Sequence, residues 1–67
     1  MAYRSRASFK LMEIDDRFKL FHKGMNIIDV GAAPGGWSQV INERVPNGNI
    51  VAVDLLHMEP IENVIFI

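Results

Sequence analysis

The chain of 67 residues contains no cysteine. That excludes a disulfide framework and any thiolate metal site, and the two histidines, His22 and His57, stand too far apart in sequence to suggest a metal pair. No metal is expected. At this length one small domain is the upper bound, and its core is marginal when nothing clips it. The lack of cysteine agrees with a reducing compartment. No apolar run approaches the roughly 20 residues that cross a bilayer, so no membrane span or membrane partner is expected. Internal repeats and low-complexity segments are also missing. What remains is 49% apolar and 22% charged, the balance of a globular chain rather than a disordered one.

The net charge of -1 conceals a polarity. Residues 1–23 carry six cations against three carboxylates, whereas residues 24–67 carry one against five. A basic end beside an acidic body suits a nucleic-acid-facing segment, and equally a solvated helix face. The arginine- and serine-bearing start resembles a transit peptide in composition. Its three acids, and its helix running straight into the first strand, argue against that reading.

Ala7, Leu11, Ile14, Phe18 and Phe21 recur at helical spacing, which predicts a helix over about 5–22 with Ser5 as its cap and Gly24 as a left-handed stop. Met25–Val30 (MNIIDV) and Ile50–Leu55 (IVAVDL) read as strands, and Trp37, Val40, Ile41 and Val45 predict a helix over about 36–44. Pro46-Asn47-Gly48-Asn49 is turn chemistry. Residues 57–63 form a loop around Pro60, and Val64–Ile67 begins a third strand. Strand, glycine-rich turn, helix, strand is a βαβ unit with a right-handed crossover. Its continuously apolar strands imply a parallel sheet covered on both faces. The fold class is therefore α/β, divided into a leading basic helix (1–23) and a cofactor-binding βαβ portion (24–67). A final apolar strand without a following helix, and a first strand without a partner on its far side, suggest the front of a larger domain.

The stretch DVGAAPGGWSQ joins the first strand to the second helix. Gly31, Ala33 and Gly36 fit a G-x-A-x-x-G variant of the dinucleotide fingerprint, in the strand-to-helix context that gives such glycines meaning. Asp54, at the end of the next strand, is placed to accept hydrogen bonds from the ribose hydroxyls of an adenosine group. In the rival reading the glycines serve close packing and Asp54 caps a turn. Pro34 removes an amide donor that a pyrophosphate would need, which favours S-adenosylmethionine over NAD. The sulfonium of that cofactor would then lie near Gly35–Trp37. Spacing alone leaves Trp37 either on the cofactor or in the core, and leaves Lys10 paired with Glu13 on an exposed helix face.

The segments RSRASFKL (4–11), DVGAAPGGWSQV (29–40) and VDLL followed by MEPI (53–61) are together similar to the FtsJ-like RNA 2′-O-methyltransferases, in order and spacing, over essentially the whole chain. The resemblance implies an incomplete Rossmann-like methyltransferase fold. It further implies S-adenosyl-L-methionine as cofactor and, in the nearest group of the family, methylation of a uridine 2′-hydroxyl in large-subunit ribosomal RNA. The family's cofactor contacts map onto Gly35, Trp37 and Asp54, joined by Gly31 from the loop itself. Of its Lys-Asp-Lys-Glu catalytic set only the first lysine has a counterpart, Lys10; the others fall beyond residue 67. The 67-residue chain is accordingly expected to be inactive alone, and the full-length protein to be a monomer in the cytoplasm, or in mitochondria for an organellar relative. Arg4 and Arg6 are candidate phosphate contacts, with Tyr3 and Phe9 as candidate base-stacking groups. Two rivals remain: a non-catalytic remnant or interaction module, and an NAD-binding oxidoreductase fragment.

Overall fold

The structure is a computed structural model, and it describes residues 2–67. Its elements in chain order are α1 (Ala7–Phe18), β1 (Asn26–Val30), α2 (Gly36–Arg44), β2 (Asn49–Val53) and β3 (Val64–Phe66). The strands form one sheet in the order β1-β2-β3, parallel throughout, with Ile27 level with Ile50 and Ile50 level with Val64. Side chains alternate across a sheet, so Ile27, Asp29, Ile50, Ala52 and Val64 share one face, while Ile28, Val30, Val51, Val53 and Ile65 share the other.

Both helices serve the first of these faces. Val40, Ile41 and Val45 of α2 and its end meet Ile50 from the sheet and Leu11 from α1, all buried, with Met12, Phe21, Met25 and Ile27 packed around them. A smaller cluster joins Ala32 and Ala52 to Met58. Met58 belongs to the helix-free connection between β2 and β3, so one methionine supplies the apolar cover that a crossover helix would give. The expectation of a sheet covered on both faces fails here. Ile28 and Val30 are 67% and 78% exposed, because the described residues supply helices to one side only.

The leading helix is shorter than its periodicity predicts, and rotated. It ends at Phe18, where Lys19 takes left-handed dihedrals and donates its N–H to the Asp15 carbonyl. Asp15 Oδ1 then accepts the Phe21 N–H at 2.8 Å, folding the chain back so that Phe21 reaches the core. Gly24 does adopt a positive φ, though in the turn before β1 rather than at a helix end. The N-cap is Arg6, with no side-chain capping bond, so Ser5 does not cap. The buried seam is Ser8, Leu11 and Asp15, while Ala7 and Phe18 face outward. Polar Ser8 goes inward because it lies against Gly36, where a Cβ would come within 2.6 Å of its hydroxyl. Asp15 goes inward because Arg44 of α2 meets it at 2.9 Å. β2 closes at Val53 rather than Leu55, since the Val53 carbonyl accepts the N–H groups of Gly31 and Ala32 at 2.7 and 3.1 Å.

Candidate functional site

The turn after β1 and the turn after β2 lie side by side at the carboxyl ends of the strands, where parallel α/β sheets bind ligands. Two carbonyl bonds from Val53 start the first turn, and the Ala33 N–H then donates to Asp54 Oδ2 at 2.9 Å. The other oxygen, Oδ1, accepts the Leu56 N–H at 2.9 Å. The Leu56 N–H foremost, and then that of Ala33, hold the Asp54 carboxyl below the ordinary carboxylate range, against a desolvation that would raise it. Asp54 is thus a fixed anion that can only accept hydrogen bonds. It caps its own turn, as the rival reading required, and it is also joined directly to the glycine loop.

Between the loop and the start of α1 opens a cleft of about 530 Å³, running along the unpaired side of β1. Gly31, Ala33, Pro34 and Trp37 line it from the loop and Ser5 and Ala7 from the start of α1, whereas Asp54 and Gly35 do not line it. The volume falls in the range of small-molecule sites. Gly31 has φ +74°, and a Cβ there would meet nothing within 4 Å, so the backbone at this point faces open space. Gly35 differs. With φ +113° it is the N-cap of α2 and turns its back on the cleft, where a Cβ would meet Arg4, Ile61 and Met58 at 3.0–3.1 Å. No side chain caps α2, so its first-turn amides keep the partial positive charge of a helix start.

Trp37 is neither free nor in the core. It is 42% exposed and its Nε1–H donates to the Ala7 carbonyl at 3.0 Å, which pins the indole between the cleft and the first turn of α1. Lys10 follows one turn after Ala7, outside the cleft wall. Its ammonium stands 3.9 Å from Glu13, both side chains widely exposed, the exposed pairing that spacing alone allows. Arg6 is exposed at the N-cap of α1. Arg4 is half-buried, and its guanidinium donates to the carbonyls of Pro34 (3.1 Å), Glu59 and Pro60 (3.0 Å). Tyr3 is likewise engaged, donating its hydroxyl to Glu43 and packing edge-on against Phe9 at 5.7 Å. Phe9 itself stays 61% exposed.

Sequence reasoning missed two residues of this region. Asp29 is buried in the cleft wall and accepts the Ser38 hydroxyl at 2.7 Å. An acid at an inward position of an otherwise apolar strand was the available signal. Gln39 accepts the Arg4 backbone N–H at 2.8 Å and so ties the N-terminal segment to α2; nothing in its spacing marks it.

Comparison with known proteins bears on this geometry. Residues 3–67 match the family described as FtsJ-like methyltransferase. A Pelagibacter ubique protein named ribosomal RNA large subunit methyltransferase E is 52% identical over 63 residues, covering 94% of this chain and 31% of that protein. A protein of the same name from Francisella tularensis subsp. tularensis is 56% identical over 68 residues, covering 100% of this chain and 33% of that protein. A crystal structure described as a ribosomal RNA methyltransferase from Plasmodium falciparum superimposes with a TM-score of 0.91 at 45% identity, over 97% of this chain and 37% of that one. The chain therefore spans about a third of the length of the curated relatives it matches.

Proposed function

The chain belongs to the FtsJ-like methyltransferase family, and from that premise we propose that the full-length protein carrying it methylates the 2′-hydroxyl of a uridine in large-subunit ribosomal RNA, using S-adenosylmethionine. The carrying observation is the joining of the Gly31–Gly36 loop to Asp54 through the Ala33 N–H; the cleft of about 530 Å³ shares Gly31, Ala33 and Trp37 with that loop but is not lined by Asp54. The residues fit the cofactor. Asp54, held ionised, accepts from ribose hydroxyls, the open backbone at Gly31 admits close approach, and Trp37 offers an apolar wall. When bound, the sulfonium supplies an activated methyl group.

The chain's own residues then have positional work to do. A ribose hydroxyl is a poor nucleophile at neutral pH, so holding it in line is worth much of the barrier, on the order of 7–11 kcal/mol in well-oriented cases. Lys10, on the helix to which Trp37 is pinned, adds positive field where the hydroxyl develops oxyanion character. Arg6 and Phe9, both exposed on or beside the same helix, face the solvent that RNA would occupy. The rest of the family's catalytic set falls outside residues 1–67, so this chain alone transfers nothing in our reading.

Tritiated S-adenosylmethionine and ribosomal RNA test the proposal directly. A 2′-O-methyl group removes the nucleophile that alkali needs to cleave the adjoining phosphodiester. The full-length protein should therefore leave its label in alkali-resistant dinucleotides containing uridine, and the 67-residue chain should leave none. Label in alkali-released mononucleotides would mean a methylated base and would overturn the assignment.

A further inference from the structure

We infer that Arg4 is a positioning residue of the cofactor site rather than an RNA phosphate contact: it braces the glycine loop against the segment that follows Asp54. The inference rests on the reading that this loop and Asp54 together hold S-adenosylmethionine.

Two connections join the same pair of loops. In the first, Ala33 donates directly to Asp54 at 2.9 Å. In the second, Arg4 Nη1 donates to the Pro34 and Glu59 carbonyls while Nη2 donates to the Pro60 carbonyl. Arg4 thereby reaches one residue past Ala33 in the first loop and five or six residues past Asp54 in the second. Its own backbone is fixed in turn, because its N–H donates to Gln39 Oε1 in α2. The brace fits closely: a Cβ on Gly35 would stand 3.0 Å from Nη1, so the loop backbone rests on the guanidinium.

The chemistry of the acceptors separates a brace from a phosphate clamp. All three side-chain partners are backbone carbonyls, and no carboxylate lies within ion-pair distance of Arg4 among the described residues. Only a planar fork of five donors serves three divergent carbonyls at once; a lysine ammonium, a point charge on a flexible stem, does not. Three of its five N–H donors are committed to carbonyls in this way. Arg6, two residues on and exposed, has no such engagement among the described residues. The RSR segment thus carries two arginines with different duties: one faces inward to the cofactor loop, the other outward.

The test uses the full-length protein with Arg4→Ala, Arg4→Lys and, for contrast, Arg6→Ala. Binding of S-adenosylmethionine is followed by calorimetry, and RNA binding by anisotropy across a salt series. Wild type must bind S-adenosylmethionine; if it does not, the functional reading fails, whatever Arg4 does. Given binding, both Arg4 variants should raise the cofactor Kd and KM at least tenfold, with kcat at saturating cofactor within threefold of wild type. Their RNA salt slope should be unchanged, while Arg6→Ala should lower that slope by about one charge. The inference is overturned if Arg4→Ala binds the cofactor within twofold of wild type. It is equally overturned if Arg4→Lys restores binding and the deficit moves to the RNA salt slope. If neither Arg4 variant folds, Arg4 merely holds the chain together, and the positioning role is withdrawn.

Discussion

Ile50 and Ala52, on the helix-covered face of the sheet, are 2% and 0% exposed, whereas Ile28 and Val30, on the opposite face, are 67% and 78% exposed. The strands themselves do not distinguish the two sides, since β-branched and aliphatic residues point both ways along β1 and β2. The asymmetry comes from what is laid over them: α2 with α1 on one side, and nothing among the described residues on the other. Residues of one type therefore stabilise the fold or leave it unmoved, according to the face they occupy.

The largest effect that sharpens this contrast is expected from Ile50→Ala. Ile50 is buried in the cluster that Leu11 of α1 and Val40 and Ile41 of α2 complete. Losing its methylenes and leaving a cavity costs about 2–5 kcal/mol, a large share of what a chain this short can hold. Denaturant melts should show the midpoint collapsing, whereas Ile28→Ala, on the bare face, should shift it by under about 0.5 kcal/mol. Equal losses at the two positions would break the comparison.

A middle-sized effect belongs to the polar seam beneath the covered face. Asp15 bonds the Phe21 N–H and Arg44, and although burial pushes its carboxyl upward, those two partners outweigh it and leave it below the ordinary carboxylate range. A carboxyl that titrates lower folded than unfolded gives the unfolded chain more protons in acid. Its stabilisation is therefore complete above the unfolded value of about 3.9 and drains away as pH falls through the lower folded value. Asp15→Asn should cost about 1–2 kcal/mol at neutral pH. That cost should shrink on acidification, so the variant and wild-type stability curves converge at low pH. A constant offset across the acid range would show that the charge contributes nothing.

Element types, the parallel order and the bounds of α2 were legible in the sequence because they follow from periodicity and turn chemistry, which are local. So was the meeting of the glycine loop with Asp54, since both sit at the ends of neighbouring parallel strands. The end of α1 was not legible: the apolar period continues to Phe21, but Lys19 turns left-handed after Phe18 and the Phe21 N–H donates back to Asp15. The inward turn of Ser8 and Asp15 was hidden for a related reason, because a binary pattern sends polar residues outward. Only the close approach of Gly36 and the partner Arg44 reverse that. Arg4 was the least legible. A cation read alone suggests an anion, and three carbonyls convening around it are a tertiary fact that no spacing announces.

The smallest stability effect, and the finest probe of the two faces, is Val30→Thr. Threonine keeps the β-branch that suits a strand and replaces one methyl with a hydroxyl that solvent can satisfy at a position 78% exposed. Folding stability should stay within about 0.5 kcal/mol of the parent. The apolar surface should respond instead, because Ile28 and Val30 of β1 lie exposed at the free edge of the sheet, on the same face as Ile65 of β3 across β2. Contiguous exposure of this kind binds apolar dyes and promotes association. The variant should show weaker binding of a fluorescent naphthalene sulfonate and a slower-sedimenting boundary at high concentration. A loss of stability approaching that of Ile50→Ala would mean that Val30 is covered in solution, and the two faces would then be alike.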